Sequence, residues 1–586
     1  MAHQDAKERI RDHLTFLYGA VRAAPIVERL GQRLDKFREQ HPDLLAVPTS
    51  RDRLSQDDVI LITYGDQFRA PGQSPLRTLA EVLNTTLRNV VGGVHILPFY
   101  PYSSDDGFSV IDYTAVDPQL GGWADLEPLR AGYRLMFDAV INHISAQSAW
   151  FQAFLRGEPG ADTRFIIMDP ATDLSQVTRP RTTPLLTPFE TPTGTKYVWT
   201  TFSADQIDLN YANPDLLLEI VDVLLLYVTR GASLIRLDAI GYLWKEAGTR
   251  CIHLPQAHRV VQLCRAVLDA VAPDVLLITE TNVPHADNIS YFGDGTNEAQ
   301  LVYQFPLAPL TLNAFHSGSA QHLTQWAAGL ATPSGSTAFF NFLASHDGMG
   351  VVPASGILSP AEVADLVARA EAHGGRVSSK NNPDGTQSPY ELNITLFDAL
   401  SNPNDAAEGQ ARKVDRFVAA NAIMLALQGV PGIYVHSLVG SPNYHAGLRQ
   451  TGRFRSLNRE KWERAEFERR LADPQRHERA VFERLAQLIR IRRGQAAFHP
   501  NGPQRVLSTS DALFTLLRSS TDGREHILCV HNVSGNPQTL RASAIPELAG
   551  AVLHDLVDGT SGAAGEQEIE LEVGPYQVRW LKLRTD

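Results

Sequence analysis

Between residues 59 and 436, short apolar runs alternate with longer stretches in which apolar residues recur at helical spacing. Buried strands give the short runs, and amphipathic helices give the longer pattern. Regular alternation of the two is typical of parallel strands joined by crossover helices. Eight runs predict strands, at residues 59–62, 94–97, 135–141, 233–237, 275–279, 301–305, 339–344 and 432–436. The clearest predicted helices are residues 214–230, 256–271, 320–330, 412–428 and 476–493.

Eight strand–helix units favour a closed barrel over an open doubly wound sheet, and in such barrels the chemistry lies at the carboxyl ends of the strands. Two connections are too long for ordinary loops, and after residue 494 short alternating runs predict a small antiparallel domain. We therefore predict an α/β fold: a (β/α)8 barrel with two inserted subdomains and a C-terminal antiparallel β domain. The barrel is predicted in three parts: residues 1–143, which include a helical N-terminal extension, 214–347 and 412–494. The two insertions are predicted at residues 144–213 and 348–411, and the C-terminal domain at residues 495–586.

The N-terminal extension is expected to be helical over residues 5–56, with Ile26, Leu30 and Leu34 forming one apolar stripe. This pattern indicates packing rather than chemistry.

Composition narrows the classes of partner. The 586 residues carry a net charge of -12, whereas nucleic acids and anionic membranes are bound by basic surfaces. We therefore expect neither as a partner, and local arginines must meet any anionic substrate. Three widely spaced cysteines indicate no disulfide framework, and no apolar run reaches membrane-spanning length, so we expect a cytoplasmic protein. The sequence predicts no oligomeric state.

Three carboxylates follow predicted strands: Asp238, Glu280 and Asp347. Arg236 and Asp238 lie two apart in an extended run, so the cation is expected to keep the carboxylate ionised. A structural Arg–Asp pair at a strand end is the alternative for this run alone. Carboxylates that converge on one barrel mouth repel one another, which is tolerated where catalysis needs a nucleophile and an acid. Retaining glycosyl transfer uses such a pair.

Four short motifs resemble the signatures of the α-amylase superfamily, in the same order and each after a predicted strand: residues 138–143 (DAVINH), 235–238 (IRLD), 279–280 (TE) and 345–347 (SHD). The resemblance implies that Asp238 is the nucleophile, Glu280 the general acid/base and Asp347 the third carboxylate. It also implies that the side chains that hold the glucose ring include His143, Arg236 and His346. A hydrogen-bonded structural histidine is the alternative reading of each histidine.

Within that superfamily, residues 98–101 (PFYP), 105–108 (DDGF) and 110–113 (VIDY) resemble the sucrose phosphorylase branch. The resemblance implies that Asp105 binds sugar hydroxyls and that Phe108 stacks on the ring, although Asp-Asp-Gly alone is typical of a solvated turn. It also implies that the donor site is completed by Gln206, Tyr242 and Arg455.

The first insertion offers cations for a phosphate dianion. Residues 177–182 (VTRPRT) resemble the phosphate-contacting loop of that branch, with Arg181 preferred over Arg179. Surface solubility is the alternative role for both arginines. Sucrose phosphorylases commonly carry a tyrosine where this chain has Thr178, which weakens the case for sucrose.

The second insertion is expected to set the acceptor. Residues 378–385 (SSKNNPDG) and 388–393 (SPYELN) resemble glucosylglycerate phosphorylases and the related glucosylglycerol phosphorylases. Tyr390, Glu391 and Asn393 are the expected acceptor contacts, with Lys380 nearby; sucrose phosphorylases have a glutamine at the position of Glu391. The anionic Glu391 would repel an acid acceptor unless it faces the hydroxyl end. Taken without the resemblance, the stretch reads as a turn that ends in a short helix.

We therefore predict a retaining glycoside phosphorylase that converts 2-O-α-glucosylglycerate and phosphate into α-glucose 1-phosphate and D-glycerate, without a metal or cofactor. A glucosylglycerol, sucrose or sucrose 6-phosphate phosphorylase is the alternative within the branch. An α-glucoside hydrolase or transglucosidase on the same barrel is a further alternative, and a non-catalytic sugar-binding barrel is an alternative from another class.

Overall fold

A computed structural model describes residues 2–45, 53–382, 385–543, 552–563 and 568–584. Its centre is a closed barrel of eight parallel strands, in which each strand pairs with the next and the eighth pairs with the first. The predicted barrel is therefore confirmed, and its strands differ from the predicted runs by a few residues at most. The strands are β1 (Ile60–Thr63), β2 (Gly93–Ile96), β3 (Arg134–Ala139), β4 (Ala232–Leu237), β5 (Leu276–Thr279), β6 (Leu301–Tyr303), β7 (Ala338–Phe342) and β8 (Val430–Tyr434).

Helices surround the barrel, and their apolar faces are buried against the strands. Pro214 starts the helix before β4, where the side chain of Asn213 accepts a hydrogen bond from the backbone N–H of Asp215 at 2.9 Å. The predicted helices are found with small shifts at their ends. The main helices are Pro75–Thr86, Pro214–Thr229, Pro255–Val271, Leu307–Ser317, Gln321–Ala328, Gln410–Ala426, Arg464–Ala472 and His477–Arg493.

The N-terminal extension forms two helices, Ala2–Tyr18 and Ala20–Gln40, followed by a short 3-10 turn at Pro42–Leu45. Its predicted stripe is buried, since Ile26, Leu30 and Leu34 are each at most 4% exposed. The predicted helical span of 5–56 is too long: residues 46–52 lie outside the described residues, and from Arg53 to residue 56 the chain forms bends and turns.

The first long connection, residues 144–213, holds the helix Ala149–Leu155 and a hairpin of strands Leu186–Thr191 and Gly194–Trp199. A short antiparallel pair, His143–Ser145 with Gln206–Asp208, ties both ends of this connection to the barrel mouth. The same pairing brings side chains that lie some sixty residues apart in sequence next to one another.

The second long connection, residues 348–411, holds a three-stranded antiparallel sheet, in the order Met349–Gly350, Gln387–Asn393 and Arg376–Asn381. The helices Pro360–Ala372 and Leu396–Leu400 complete it. The alternative reading of residues 378–393 as a turn that ends in a short helix is wrong in its helix, because residues 387–393 form a strand that pairs with residues 376–381 and, at Glu391 and Leu392, also with Met349–Gly350. Pro383 and Asp384 of the predicted acceptor loop lie outside the described residues.

The C-terminal part forms an antiparallel sheet around the buried Trp580, which confirms the predicted β domain. Its strands, in spatial order, are Gln504–Leu507, Leu513–Ser519, His526–Asn532, Val578–Arg584, Val552–Asp555 and Ser561–Ala563, with a separate pair Gln538–Ser543 and Glu568–Val573.

None of the helices in the described residues is both long and apolar enough to cross a lipid bilayer. The three cysteines, Cys251, Cys264 and Cys529, are free and buried.

Candidate active site

A cavity opens at the carboxyl ends of the barrel strands, and the three predicted carboxylates line it together. Asp238 directly follows β4, Glu280 follows β5, and Asp347 lies just beyond β7. Because parallel strands present their carboxyl ends at one face of the barrel, residues more than a hundred positions apart meet there. All predicted site residues except Arg179, Lys380 and Asn393 line this cavity.

Arg236 lies at the centre of the carboxylate cluster and is only 2% exposed. Its Nη1 lies 2.8 Å from Asp238 Oδ1, and its Nη2 lies 3.7 Å from Glu280 Oε2. The same guanidinium also contacts Asp138, whose other carboxylate oxygen lies 2.7 Å from His95 Nε2. One buried cation therefore touches three carboxylates, so their mutual repulsion is partly offset without water.

Burial makes the two central carboxyl groups, Asp238 and Glu280, weaker acids than usual, because it raises the pKa of both. Burial is the main cause that raises the pKa of Glu280 from its ordinary 4.5 to about 7, with the charges of Asp238 and Asp347 adding to it and Arg236 opposing it. Burial also raises the pKa of Asp238, although Arg236 and His143 lower it. The expected effect of Arg236 on Asp238 is thus present, but burial outweighs it. Glu280 is poised to carry a proton near neutral pH, as a general acid must.

The third carboxylate behaves in the opposite way. Burial alone would raise the pKa of Asp347, but the cations around it hold that pKa well below the usual range. Arg455 Nη1 lies 2.5 Å from Asp347 Oδ1, and Arg459 lies 3.8 Å from the same oxygen. His346 Nε2 lies 3.4 Å from the other oxygen. Asp347 therefore stays ionised beside a protonated Glu280.

Arg455 has a second acidic partner. Its Nη2 donates to both carboxylate oxygens of Glu391, at 2.9 and 3.0 Å, and the residue exposure of Glu391 is only 3%. Arg455 therefore bridges a barrel carboxylate and the second insertion. The ion pair also offsets part of the charge of Glu391, for which the sequence suggested repulsion of an acid acceptor.

Aromatic rings and amides form a wall on one side of the carboxylates. The Phe108 and His346 rings stack with centroids 4.7 Å apart and planes at 2°. Gln206 and His143, from the short strand pair, both reach the backbone oxygen of Phe108. Gln206 Nε2 donates to this oxygen at 3.2 Å, and His143 Nε2 lies 2.8 Å from it. Gln206 Nε2 also donates to Asp105 Oδ2 at 3.4 Å. This wall offers an apolar face and several fixed hydrogen-bonding groups, which together suit a sugar ring.

The turn that carries Asp105 is held in an unusual backbone conformation. Asp105 and Asp106 have φ values of 54° and 49°, in the left-handed region of the backbone that residues other than glycine rarely adopt. Gly107 has φ 110°, and a Cβ there would lie 2.6 Å from the backbone oxygen of Pro98. Arg459 contacts the carboxylate of Asp106 and fixes the turn from outside. Contacts within the protein therefore hold this turn in a set shape, while the Asp106 side chain stays 38% exposed.

Arg181 lines the cavity and has no acidic side chain within ion-pair distance among the described residues. Its guanidinium carbon lies 5.9 Å from the ring centroids of both Phe202 and Tyr390, so the cation rests between two aromatic faces. Tyr242, which also lines the cavity, packs edge-on against Phe202. An unpaired guanidinium beside the carboxylates is a place for an anionic ligand.

Three predicted site residues lie outside the cavity lining. Arg179 turns back onto its own loop and donates to the backbone oxygen of Thr183. Asn393 is buried and donates to Ser378 Oγ at 2.9 Å, within the inserted sheet. Lys380 lies in the outer strand of that sheet, beyond the part that reaches the cavity. Their side chains follow the pleat of the strand or the shape of the loop, neither of which the motif spacing specifies.

Several residues of the site were missed from the sequence. Asp138 contacts Arg236 and His95 contacts Asp138, both outside the cavity lining, and a polar residue within the apolar run at 94–97 was a signal for His95. Tyr303 lines the cavity at the end of β6. His253 and Asn282 also line it, and no pattern at either position indicated this.

A buried lysine supports the wall from below. Lys245 Nζ lies 2.5 Å from Asp208 Oδ2 and 2.9 Å from Asn142 Oδ1, the residue before His143. Burial lowers the pKa of Lys245, and Asp208 opposes that shift. Within the described residues no cluster of three or more His, Cys, Asp or Glu side chains has the arrangement of a metal site.

Residues 89–355 match the family described as Alpha amylase, catalytic domain. Over 536 residues the chain is 54% identical to a glucosylglycerate phosphorylase of Allomeiothermus silvanus, covering 92% of this chain and 94% of that protein. It is 44% identical to a glucosylglycerate phosphorylase of Escherichia coli, covering 98% of this chain and 100% of that protein.

Among solved structures, the sucrose 6F-phosphate phosphorylase of Thermoanaerobacter thermosaccharolyticum superposes with a TM-score of 0.71 at 25% identity, covering 83% of this chain and 96% of that one. The resemblance derived from the four motifs is therefore confirmed over nearly the whole chain.

Proposed function

The chain belongs to the glucosylglycerate phosphorylase family of the α-amylase superfamily, and from this premise we propose that it transfers glucose from 2-O-α-glucosylglycerate to phosphate with retention. The products are α-glucose 1-phosphate and D-glycerate. Phosphate is proposed as the second substrate because of Arg181, whose guanidinium lines the cavity and has no acidic partner in the described part of the chain.

In the first step Asp238 attacks the anomeric carbon, and Glu280 gives its proton to the leaving oxygen of D-glycerate. A pKa of Glu280 near 7 supports this role, because the group then holds a proton at neutral pH. The shared contact with Arg236 keeps the two carboxyl groups close, as retention requires. Phe108, His143, Gln206 and Asp105 would hold the glucose ring, with Asp347 and Arg455 orienting it.

In the second step phosphate attacks the glucosyl–Asp238 ester from the side that D-glycerate has left, and its proton goes to Glu280. Asp238 is uncharged while esterified, so the pKa of Glu280 falls and Glu280 stays deprotonated, ready to act as the general base. Arg181 would bind the phosphate dianion and thereby give it an advantage over water. Tyr242 and Tyr390 close the same side of the cavity.

The same cation supports D-glycerate as the acceptor in the reverse direction. Glycerate and phosphate are both small anions that must occupy the leaving-group side in turn, and Arg181 serves either of them. Glycerol would leave that cation without a partner. Because Arg455 pairs with Glu391, the negative charge of Glu391 towards an acceptor carboxylate is partly offset.

The test is an acceptor screen in the synthetic direction, with α-glucose 1-phosphate as donor and D-glycerate, glycerol, D-fructose or D-fructose 6-phosphate as acceptor. We expect D-glycerate to give the highest initial rate. Product analysis of glucosylglycerate cleavage with and without phosphate separates a phosphorylase from a hydrolase, since only the former needs phosphate for rapid turnover. Faster synthesis with glycerol or a ketose would overturn the acceptor, and phosphate-independent cleavage would overturn the phosphorylase.

The cytoplasm is the proposed site of action. It supplies inorganic phosphate, and reducing conditions suit three free, buried cysteines.

A further inference from the structure

Four residues of the cavity lining hold a buried side-chain polar atom that lacks a hydrogen-bond partner in the described structure: Arg236 Nε, His253 Nε2, Asn282 Oδ1 and His346 Nδ1. Arg236 belongs to the carboxylate cluster and His346 stacks on Phe108, which leaves His253 and Asn282 without an assigned role. Unsatisfied buried polar atoms are rare in folded proteins, and at a cavity wall they indicate groups that a ligand satisfies. Neither residue contacts the Phe108 wall in the described structure. Asn282 lies two residues beyond Glu280, which faces the leaving group, and packs against Gly350 of the second insertion.

Contacts with Gly241 and Tyr291 fix the position of His253. Its backbone has φ 54°, in the left-handed region, and its N–H donates to the backbone oxygen of Gly241 at 2.9 Å. A Cβ at Gly241 would lie 3.0 Å from the imidazole Cε1 and 3.2 Å from the Tyr291 hydroxyl oxygen, so the glycine makes room for both. The chain thus maintains a strained residue beside the cavity, as is common at ligand sites.

The hydrogen bond to Tyr291 determines which atom the imidazole presents. The Tyr291 hydroxyl is buried and lies 2.9 Å from His253 Nδ1, the one side-chain acceptor for it among the described residues. The hydroxyl therefore donates to Nδ1. Burial lowers the pKa of His253 to about 4, so the ring is neutral and its single proton is on Nε2. Nε2–H is a donor without an acceptor.

We propose that His253 Nε2–H donates a hydrogen bond to the carboxylate of the acid acceptor, while Asn282 Oδ1 accepts one from an acceptor hydroxyl. A carboxylate oxygen only accepts hydrogen bonds and matches a donor that cannot accept. This inference rests on the proposed function and deepens it: it names His253 as a residue that, together with Arg181, distinguishes a hydroxy acid from a polyol at the acceptor position.

The experiment compares D-glycerate and glycerol as acceptors, with α-glucose 1-phosphate as donor, in wild type, His253→Phe and His253→Gln. Loss of a hydrogen bond to a charged group lowers the D-glycerate to glycerol ratio of kcat/KM about tenfold or more in His253→Phe. The glutamine amide can place an N–H near the position of Nε2, so His253→Gln recovers part of the ratio. His258→Phe is the matched control, because His258 also stacks on Tyr291 but lies outside the cavity lining, and we expect the ratio to stay unchanged.

An equal loss on both acceptors, an unchanged ratio, or a loss confined to the KM for phosphate overturns the inference. Thermal unfolding of each variant shows whether it folds. If His253→Phe does not fold, the D-glycerate to glycerol ratio of kcat/KM in His253→Gln, compared with wild type, decides. Wild-type enzyme that does not use D-glycerate refutes the proposed function itself, whereas an active enzyme with an unchanged ratio in the variants refutes only the role of His253.

Discussion

The acidity of Glu280 gives the sharpest test of the mechanism. Burial, with the charges of Asp238 and Asp347, raises its pKa from 4.5 to about 7. A shift of this size corresponds to about 3 kcal/mol between the two protonation states, because each pKa unit is worth about 1.4 kcal/mol. In the proposed mechanism, the glucosylation step needs the protonated form of Glu280. We therefore expect kcat/KM for glucosylglycerate to fall as the pH rises through about 7, by about tenfold per pH unit at the alkaline end.

The assay is initial-rate phosphorolysis from pH 5 to 9 with two donors. α-Glucosyl fluoride has a leaving group that departs without a proton, so its profile should lack the alkaline fall. Glu280→Gln should lower kcat/KM for glucosylglycerate by about 10²- to 10⁴-fold, have a far smaller effect with the fluoride, and abolish the alkaline limb. An equal loss on both donors, or the same alkaline limb with the fluoride, would refute the assignment of Glu280 as the acid.

Three further expectations can be measured directly. A carboxyl group whose pKa is higher in the folded than in the unfolded protein makes the fold less stable as the pH rises from 4.5 to about 7. Glu280→Gln should therefore raise the free energy of unfolding by up to about 3 kcal/mol at pH 8 and by little at pH 4, as measured by chemical denaturation. Arg181→Ala should raise the KM for phosphate and increase hydrolysis relative to phosphorolysis, whereas Arg181→Lys should keep part of the phosphate preference; an unchanged product ratio counts against this arginine. Gly107→Ala should destabilise the fold by about 1–3 kcal/mol and weaken donor binding, because its φ of 110° and a backbone oxygen 2.6 Å from the added Cβ leave no unstrained position; an unaltered melting temperature would contradict this.

The barrel could be predicted from the sequence because its strands are short, apolar and regularly separated by helices. The carboxylates could be placed for the same reason, since Asp238 and Glu280 stand directly after such a run and Asp347 stands three residues beyond one. The C-terminal sheet was predicted from alternating runs at residues 513–517, 526–531 and 578–583, all of which lie in strands. In each case a local pattern determines the local structure, and the barrel topology determines the rest.

Side-chain partners were not predictable in the same way. Glu391 was expected to face the acceptor as a free charge, yet Arg455, 64 residues further along the chain, pairs with it. Arg179 and Arg181 are neighbours in sequence, but the loop turns one onto its own backbone and the other into the cavity. His253 depends on a left-handed backbone, a conformation that the apolar pattern around it does not encode.

The double ion pair of Arg455 has a consequence for attempts to redesign the enzyme. Arg455 joins Glu391, on the loop that would choose the acceptor, to Asp347, which every donor would meet. In the proposed mechanism, acceptor selectivity and turnover would therefore depend on each other through Arg455. A library that varies Glu391 alone would release Arg455 and alter the charge at Asp347, so improved variants for a new acceptor would also lose rate on the shared donor. Libraries that vary Glu391 and Arg455 together should yield the productive variants.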